Sequence, residues 1–399
     1  MATLASFSSR LGAVVRELAS KKEPGGWYGR HMAAAERAIL DRIPLVDLVV
    51  EVRDARIPST SAFECLRKAC CSHKQVIVLN KVDLADNFLT ERWLEHFKNQ
   101  NYIAYGLNAH NKDSIKELLR ILRARVKELK VGESNYTATI LLTGIPNVGK
   151  SAIANSMHQI GRIGAAEKGK LKHAVVNPHP GETKDISSYK IASHPNLYVL
   201  DSPGILRLKI AHNDMGAKLA LTGAMEDFLI GEYDLARYFL AILNLSEEYK
   251  RWEKLKNTLD DTLSSVSLEK HVVDCDTVQR KPRQYPSDHT QDFIVKDVRQ
   301  TLFKTISSFE GHLEEENDME RIIESQFIAL QEALKVSSES SEDRYKTVAV
   351  KLLNLYRTGR LGRYTLDLVS NHEIDASLLC EDLSSTEIRQ TKMSLVQTA

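Results

Sequence analysis

The sequence predicts an α/β domain, a mostly parallel sheet with helices on both faces, followed by a smaller helical C-terminal domain. Three observations predict it. Between residues 31 and 206, apolar runs of strand length alternate with helical periodicity, as when parallel strands are joined by crossover helices. A glycine-rich turn, Gly144–Ser151, joins one such run (TATILLT) to a helix. Beyond residue 206 the strand signals fade.

The elements follow in order. Met32, Ala35, Ile39 and Ile43 mark a helix over His31–Ile43. Leu45–Val52 reads as a buried strand, Phe63–Cys70 as a helix, Gln75–Leu79 as a strand, Thr90–Lys98 as a helix and Tyr102–Leu107 as a strand. Asp113–Glu128 is an amphipathic helix with Ile115, Leu118, Leu119, Leu122 and Val126 on one face. Thr137–Leu142 is a strand, Ser151–His158 a helix and Leu197–Leu200 a strand. Residues 211–250 and 290–337 read as helices around a polar insertion near 250–290.

Composition bounds the function. The 399 residues are 43% hydrophobic and 27% charged, enough for two or three domains at about 150 residues each. With 54 basic and 53 acidic residues, a globally basic nucleic-acid coat is excluded, though local basic patches are not. Five cysteines without a CxxC pair indicate reduced thiols and no zinc site. No apolar run approaches the ~20 residues of a membrane span. The first 22 residues carry Arg10, Arg16, Lys21 and Lys22 against Glu17, among Ser, Ala and Leu. They read as an organelle transit peptide, with an ordinary helix as the alternative. The expected organisation is a transit peptide over 1–22, the α/β domain over 23–206, helices over 207–372 and a polar tail over 373–399.

The chemistry lies in four short motifs. Gly144, Gly149, Lys150 and Ser151, with Asn147 and Val148 between the glycines, fit G-x-x-x-x-G-K-S between a strand and a helix. Backbone amides there can approach phosphate oxygens, and the helix opening at Lys150, Ser151 and Ala152 adds its positive end. Lys150 is expected on the β/γ-phosphates and Ser151 on Mg²⁺. Asn80-Lys81-Val82-Asp83 follows an apolar strand. Asp83 can accept from the N1–H and exocyclic amine of guanine, donors that adenine does not pair, so GTP is favoured over ATP. Asn80 ties this loop to the phosphate loop, and the Lys81 stem covers the base. Asp201-Ser-Pro-Gly204 places a carboxylate at a strand end, suited to holding Mg²⁺ through water, and a Gly204 amide that can sense the γ-phosphate. Thr183, alone of its type between Ser151 and Asp201, is the candidate switch threonine for Mg²⁺.

The order is permuted: residues 80–83 precede the phosphate loop, whereas ordinary GTPases place that motif about a hundred residues after it. The site survives because it forms where the carboxyl ends of parallel strands converge. Asp201–Gly204 then leads straight into the C-terminal helices, so switch motion is expected to couple to them.

With Asp54-Ala55-Arg56 and the segment LLNLYRTGRLGRYTLD (Leu352–Asp367), the motifs resemble the circularly permuted YlqF/YawG-type GTPases. The likeness is to the DAR GTPases related to mitochondrial ribosome-associated GTPase 1. It implies a circularly permuted P-loop GTPase domain that hydrolyses GTP to GDP; the lack of a water-orienting Gln and a candidate His after a glycine-rich stretch predict slow turnover alone, stimulated by ribosomal particles. It also implies that Asn108-Ala109 serves the guanine, the Ala109 amide meeting O6, with Asn108 replacing the family's usual Ser. Ile205 stands where many GTPases carry a water-orienting Gln. The resemblance implies two substitutes, a catalytic His31 (WYGRHM, against the family's WFPGHM) and a K⁺ held at Asn147.

Basic residues in 161–173 (Arg162, Lys168, Lys170, Lys172) and 346–363 (Lys346, Lys351, Arg357, Arg360, Arg363) suit a phosphate backbone. Together with the resemblance they point to rRNA and proteins of the mitochondrial large ribosomal subunit, contacted by a monomer. The expected location is the matrix, with peripheral inner-membrane attachment implied by the family and a plastid as the alternative. The rival functions are a regulatory switch with protein effectors, or a ribosome-binding scaffold with little turnover.

Overall fold

The computed structural model describes residues 2–20, 30–131, 136–164, 186–193, 195–206, 213–256, 289–337 and 340–369. Six strands, β1 (Leu48–Asp54), β2 (Gln75–Asn80), β3 (Ile103–Leu107), β4 (Thr137–Thr143), β5 (Ser187–Ser193) and β6 (Asn196–Asp201), form one sheet in the order β3-β2-β1-β4-β6-β5. Every neighbouring pair is parallel except β5 with β6. LVVEVRD and QVIVLN are buried along their whole length, as central strands covered on both faces must be. The sequence reading lacked β5, whose segment SSYKIAS is a half-polar edge strand with weak apolar signal.

Helices α2 (Arg30–Arg42), α3 (Glu64–Ala69), α4 (Asn87–Asn99), α5 (Lys112–Leu129) and α6 (Lys150–Gly164) belong to the sheet domain. Asp86 caps α4 by accepting from the Leu89 amide, and Asn111 caps α5 by accepting from Asp113 and Ser114. The five apolar positions read from the sequence of α5 are all buried. Ile39 of α2 packs in a cluster with Phe63, Leu66, Leu141 and Ile205.

The helical layer comprises α1 (Ala2–Ser20), α7 (Asn213–Leu221), α8 (Asp227–Ile230), α9 (Glu232–Leu245), α10 (Asp292–Ser307), α11 (Glu316–Ala333) and α12 (Ser341–Arg357). The stretch expected as a transit peptide is thus, over most of its length, a helix packed on α7 and α9. Phe7, Leu11 and Val15, at four-residue spacing, are at most 3% exposed and continuous with the main core. The Arg237 guanidinium of α9 lies 5.3 Å over the Phe7 ring, and Arg10 meets Glu320 of α11 at 3.2 Å. Most of the polar insertion, 257–288, and the tail beyond 369 lie outside the described residues.

After α12 the chain returns to the sheet domain. The Tyr364 amide donates to Leu84 O, the Asp86 amide to Thr365 Oγ1 and the Leu366 amide to Arg56 O. Asp367 accepts from the Ser59 and Thr60 amides, the Thr60 hydroxyl and the Lys218 ammonium, while its carbonyl accepts from Trp93 Nε1. The segment read as a family signature is therefore a strap beneath the loops that follow β1 and β2.

Candidate nucleotide site

Parallel register brings the motifs to one edge. Asp54 pairs with Asn80, Asn80 with Leu107, Glu51 with Thr143 and Leu142 with Asp201, so the loops after β1, β2, β3, β4 and β6 leave the same side of the sheet. This is the crevice at the carboxyl ends of the strands where α/β folds place ligands.

The candidate phosphate loop runs from the end of β4 to α6. Gly149 has φ +95°, and a Cβ there would overlap the Asn80 side-chain amide, so the loop closes only around glycine. The Lys150 ammonium, 5% exposed as a residue, donates to Gly144 O at 3.2 Å and Ile145 O at 2.7 Å. Burial lowers its pKa to about 8, with Asp201 opposing that shift and Lys81 adding to it. It sits at the mouth of the helix where a phosphate is expected.

The base loop is fastened to the phosphate loop by two side chains. Asn80 Nδ2 donates to Val148 O at 2.8 Å, and Lys81 Nζ donates to Asn147 O at 2.6 Å. Lys81 has a left-handed backbone, φ +64°. Val82 begins the 3₁₀ turn Val82–Leu84, whose middle residue, Asp83, is exposed. The Ala109 amide, expected to face guanine O6, donates instead to Asn80 Oδ1 at 3.0 Å. In this structure it braces the base loop. The Asn108 side chain accepts from the His110 amide.

Asp201 is fully buried at the end of β6, and neither carboxylate oxygen has a fully formed hydrogen bond. Burial raises its pKa, and the Ser151 hydroxyl and Lys150 ammonium nearby oppose that. An orphaned carboxylate beside a hydroxyl is a donor set that fits Mg²⁺. Gly204 packs on the phosphate loop, and a Cβ there would lie 2.6 Å from Pro146 Cα. Ile205 is buried. Ala152 lies in the first turn of α6. Thr183 falls outside the described residues, and of His31 only the backbone, at the start of α2, is described.

The sequence reading missed the partners of the Asp54-Ala55-Arg56 motif. Asp54 and Arg56 form a buried two-pronged pair, with 2.9 Å and 2.8 Å bonds, and Lys81 Nζ also reaches Asp54 Oδ2 at 2.9 Å. Burial pushes the Asp54 carboxyl up, but Arg56 and Lys81 outweigh it and hold it well below the usual carboxylate range. No local pattern signals this, because the motif's other contacts lie far along the chain. Arg357, read as part of a basic patch, is engaged internally: its guanidinium grips Asp227 by two 2.7 Å bonds.

A phosphate loop and a guanine-type loop, in permuted order on one edge of a parallel sheet, define a circularly permuted GTP-binding domain. Comparisons agree. A family model described as 50S ribosome-binding GTPase matches residues 139–276. The chain is 55% identical over 354 residues to "DAR GTPase 2, mitochondrial" of Arabidopsis thaliana, covering 88% of this chain and 93% of that one. It is 40% identical over 352 residues to "Short integuments 2, mitochondrial" of the same plant, covering 88% and 90%. It is 32% identical over 222 residues to "Ribosome biogenesis GTPase A" of Bacillus cereus, covering 54% and 71%. The chain belongs to the circularly permuted YlqF-type GTPases, which bind guanine nucleotides and hydrolyse GTP.

Proposed function

We propose that this chain is a GTP-driven assembly factor acting in maturation of the mitochondrial large ribosomal subunit. The observation that carries the nucleotide half is the joining of Asn80 and Lys81 to Val148 and Asn147, which brings motifs 66 to 68 residues apart into one site. The ribosomal and mitochondrial half is supported by the names of the relatives, "Ribosome biogenesis GTPase A" and two called mitochondrial. Its place is the mitochondrial matrix, with peripheral attachment to the inner membrane as a narrower variant and a plastid as the alternative. Among the described residues, no helix is long and apolar enough to cross a membrane.

In this reading Gly144, Asn147, Val148, Gly149, Lys150, Ser151 and Ala152 cradle the phosphates, and Asn80, Lys81, Val82 and Asp83 hold the guanine with Asn108 and Ala109. Ser151 and Thr183 ligate Mg²⁺, with Asp201 acting through water, and Gly204 reads the γ-phosphate. Bound Mg²⁺ offsets charge on the phosphates. Ile205 cannot orient water, so His31 is the candidate for that task. The α2 helix that carries it packs through Ile39 in the same cluster as Ile205, which supports a place near the switch. Asn147 is the candidate K⁺ ligand through its side-chain oxygen.

In the 346–363 segment the docking face narrows to Lys346, Arg360 and Arg363, since Arg357 is held inside by Asp227 and Lys351 donates to Leu334 O. A phosphate backbone suits these residues. The test is GTP hydrolysis with and without purified mitochondrial large subunits, in K⁺ and in Na⁺. Stimulation by subunits supports the assembly-factor reading, and stimulation restricted to K⁺ supports the cation at Asn147. No stimulation in either salt overturns the ribosomal half.

A further inference from the structure

Four successive carbonyls at the end of α7 accept from three different parts of the molecule. Ala220 O and Leu221 O take Arg357 Nη2 at 2.9 Å and Nε at 3.1 Å, from α12. Thr222 O takes Arg56 Nη2 at 3.1 Å, from the loop after β1. Gly223 O takes Asn147 Nδ2 at 2.7 Å, from the candidate phosphate loop. The last carbonyls of a helix lack intrahelical partners and carry partial negative charge, so two guanidinium groups suit them.

These bonds close a circuit. Asn147 O accepts from Lys81 Nζ, Lys81 Nζ also reaches Asp54, and Asp54 grips Arg56. Arg56 holds Thr222 O, and the next carbonyl returns to the Asn147 side chain. The base loop and the phosphate loop are thus tied to one turn of the helical layer. That turn ends α7, the first described helix after Asp201–Gly204.

From this circuit, and resting on the nucleotide site proposed above, we propose that Asp54 and Arg56 are positioning residues: they hold the Lys81 ammonium against the phosphate loop, so that its stem can cover the base, and couple nucleotide binding to the seating of the α7 turn. A plain structural ion pair would need only Asp54 and Arg56. Lys81 is the informative third member. It is part-buried, left-handed at the backbone, and its ammonium donates both to the motif carboxylate and to the phosphate loop. Removing the negative charge at Asp54 leaves two neighbouring cations facing each other, and the Lys81 side chain loses one of its two anchors. Because Arg56 bonds Asp54 and Thr222 O through the same guanidinium, a shift of Lys81 is felt at α7, and a shift of α7 at Lys81.

The test uses the full chain and fluorescent GDP. Asp54→Asn is expected to weaken GDP about tenfold or more in the wild-type background but less than about threefold in a Lys81→Met background, because the two changes break one connection. Arg56→Lys keeps the charge but loses the fork, and is expected to fall between. Equal losses in both backgrounds, or GDP affinity within twofold of wild type in variants that only lower Tm, overturn the proposal. Hydrogen exchange on the unaltered protein gives a second readout that needs no variant. Saturating GDP is expected to slow exchange at the Gly223 and Ala224 amides, which bond Ala220 O and Leu219 O. Unchanged exchange there overturns the coupling even if GDP binds tightly. Failure of the wild type to bind GDP at all would instead sink the nucleotide-site reading.

Discussion

The Asn80 side chain reaches 2.8 Å across to the Val148 carbonyl while accepting from the Ala109 amide at 3.0 Å. One buried amide therefore braces the base loop, the phosphate loop and the loop after β3. Asn80→Asp removes the donor and sets a carboxylate against a carbonyl. Leaving buried partners unsatisfied costs about 1–3 kcal/mol, so affinity for GDP and GTP is expected to fall about tenfold to a hundredfold together. Calorimetric titration of both nucleotides checks this, and unchanged affinity would separate the loops energetically.

The α1 helix gives a prediction about stability. Leu11 is 2% exposed and Val15 fully buried, on the face that meets α7 and α9. Leu11→Ala should cost about 2–4 kcal/mol by loss of buried apolar contact and the cavity left behind. Removal of residues 2–20 should cost more, exposing α7. Thermal unfolding of the full chain and the two variants measures it. A truncated chain with an unchanged Tm would mean that α1 packs without contributing.

These two cases show what was legible. The glycine-rich loop, residues 80–83 and Asp201–Gly204 are readable because their chemistry is local, and parallel strands deliver them to one edge whatever their order. The strands β1, β2 and β4 are readable because each carries a short apolar run, LVV, VIVL and ILL, buried on both faces. The destination of α1 is not readable, since a basic amphipathic helix looks the same whether it addresses an organelle or covers α7. Arg357 and Arg360 are alike in sequence, yet Arg357 caps α7 while Arg360 pairs at the surface with Asp292. Partners 130 or more residues away decide that difference.

The C-terminal strap should be needed for the sheet domain itself. Asp367 is 4% exposed and accepts from the Ser59 and Thr60 amides, the Thr60 hydroxyl and Lys218. Asp367→Ala leaves these donors without an acceptor and Lys218 without one of its two carboxylates. The expected cost is about 3 kcal/mol, at the low end for breaking a buried charge pair. Chemical denaturation followed by tryptophan fluorescence reads it, Trp93 being the reporter among the three tryptophans whose indole donates to the Asp367 carbonyl. A midpoint equal to wild type would show the strap to be dispensable.

The proposed reading of the γ-phosphate by Gly204 can be tested apart from the rest of the nucleotide site. The Gly204 Cα lies so close to the phosphate loop that a Cβ would fall 2.6 Å from Pro146 Cα and 2.7 Å from Pro146 N, both backbone atoms that cannot swing aside. Gly204→Ala must therefore push residues 203–205 off the loop. Asn80–Asp83, proposed for the base, lie on another loop, and Lys150, proposed for the β-phosphate, lies four residues beyond Pro146 at the start of α6. A non-hydrolysable GTP analogue should then bind about tenfold more weakly, the worth of one charge-assisted hydrogen bond, with GDP within about threefold of wild type. Parallel titrations of the two nucleotides decide it. Equal losses for both would mean that Gly204 shapes the whole phosphate loop and does not read the γ-phosphate.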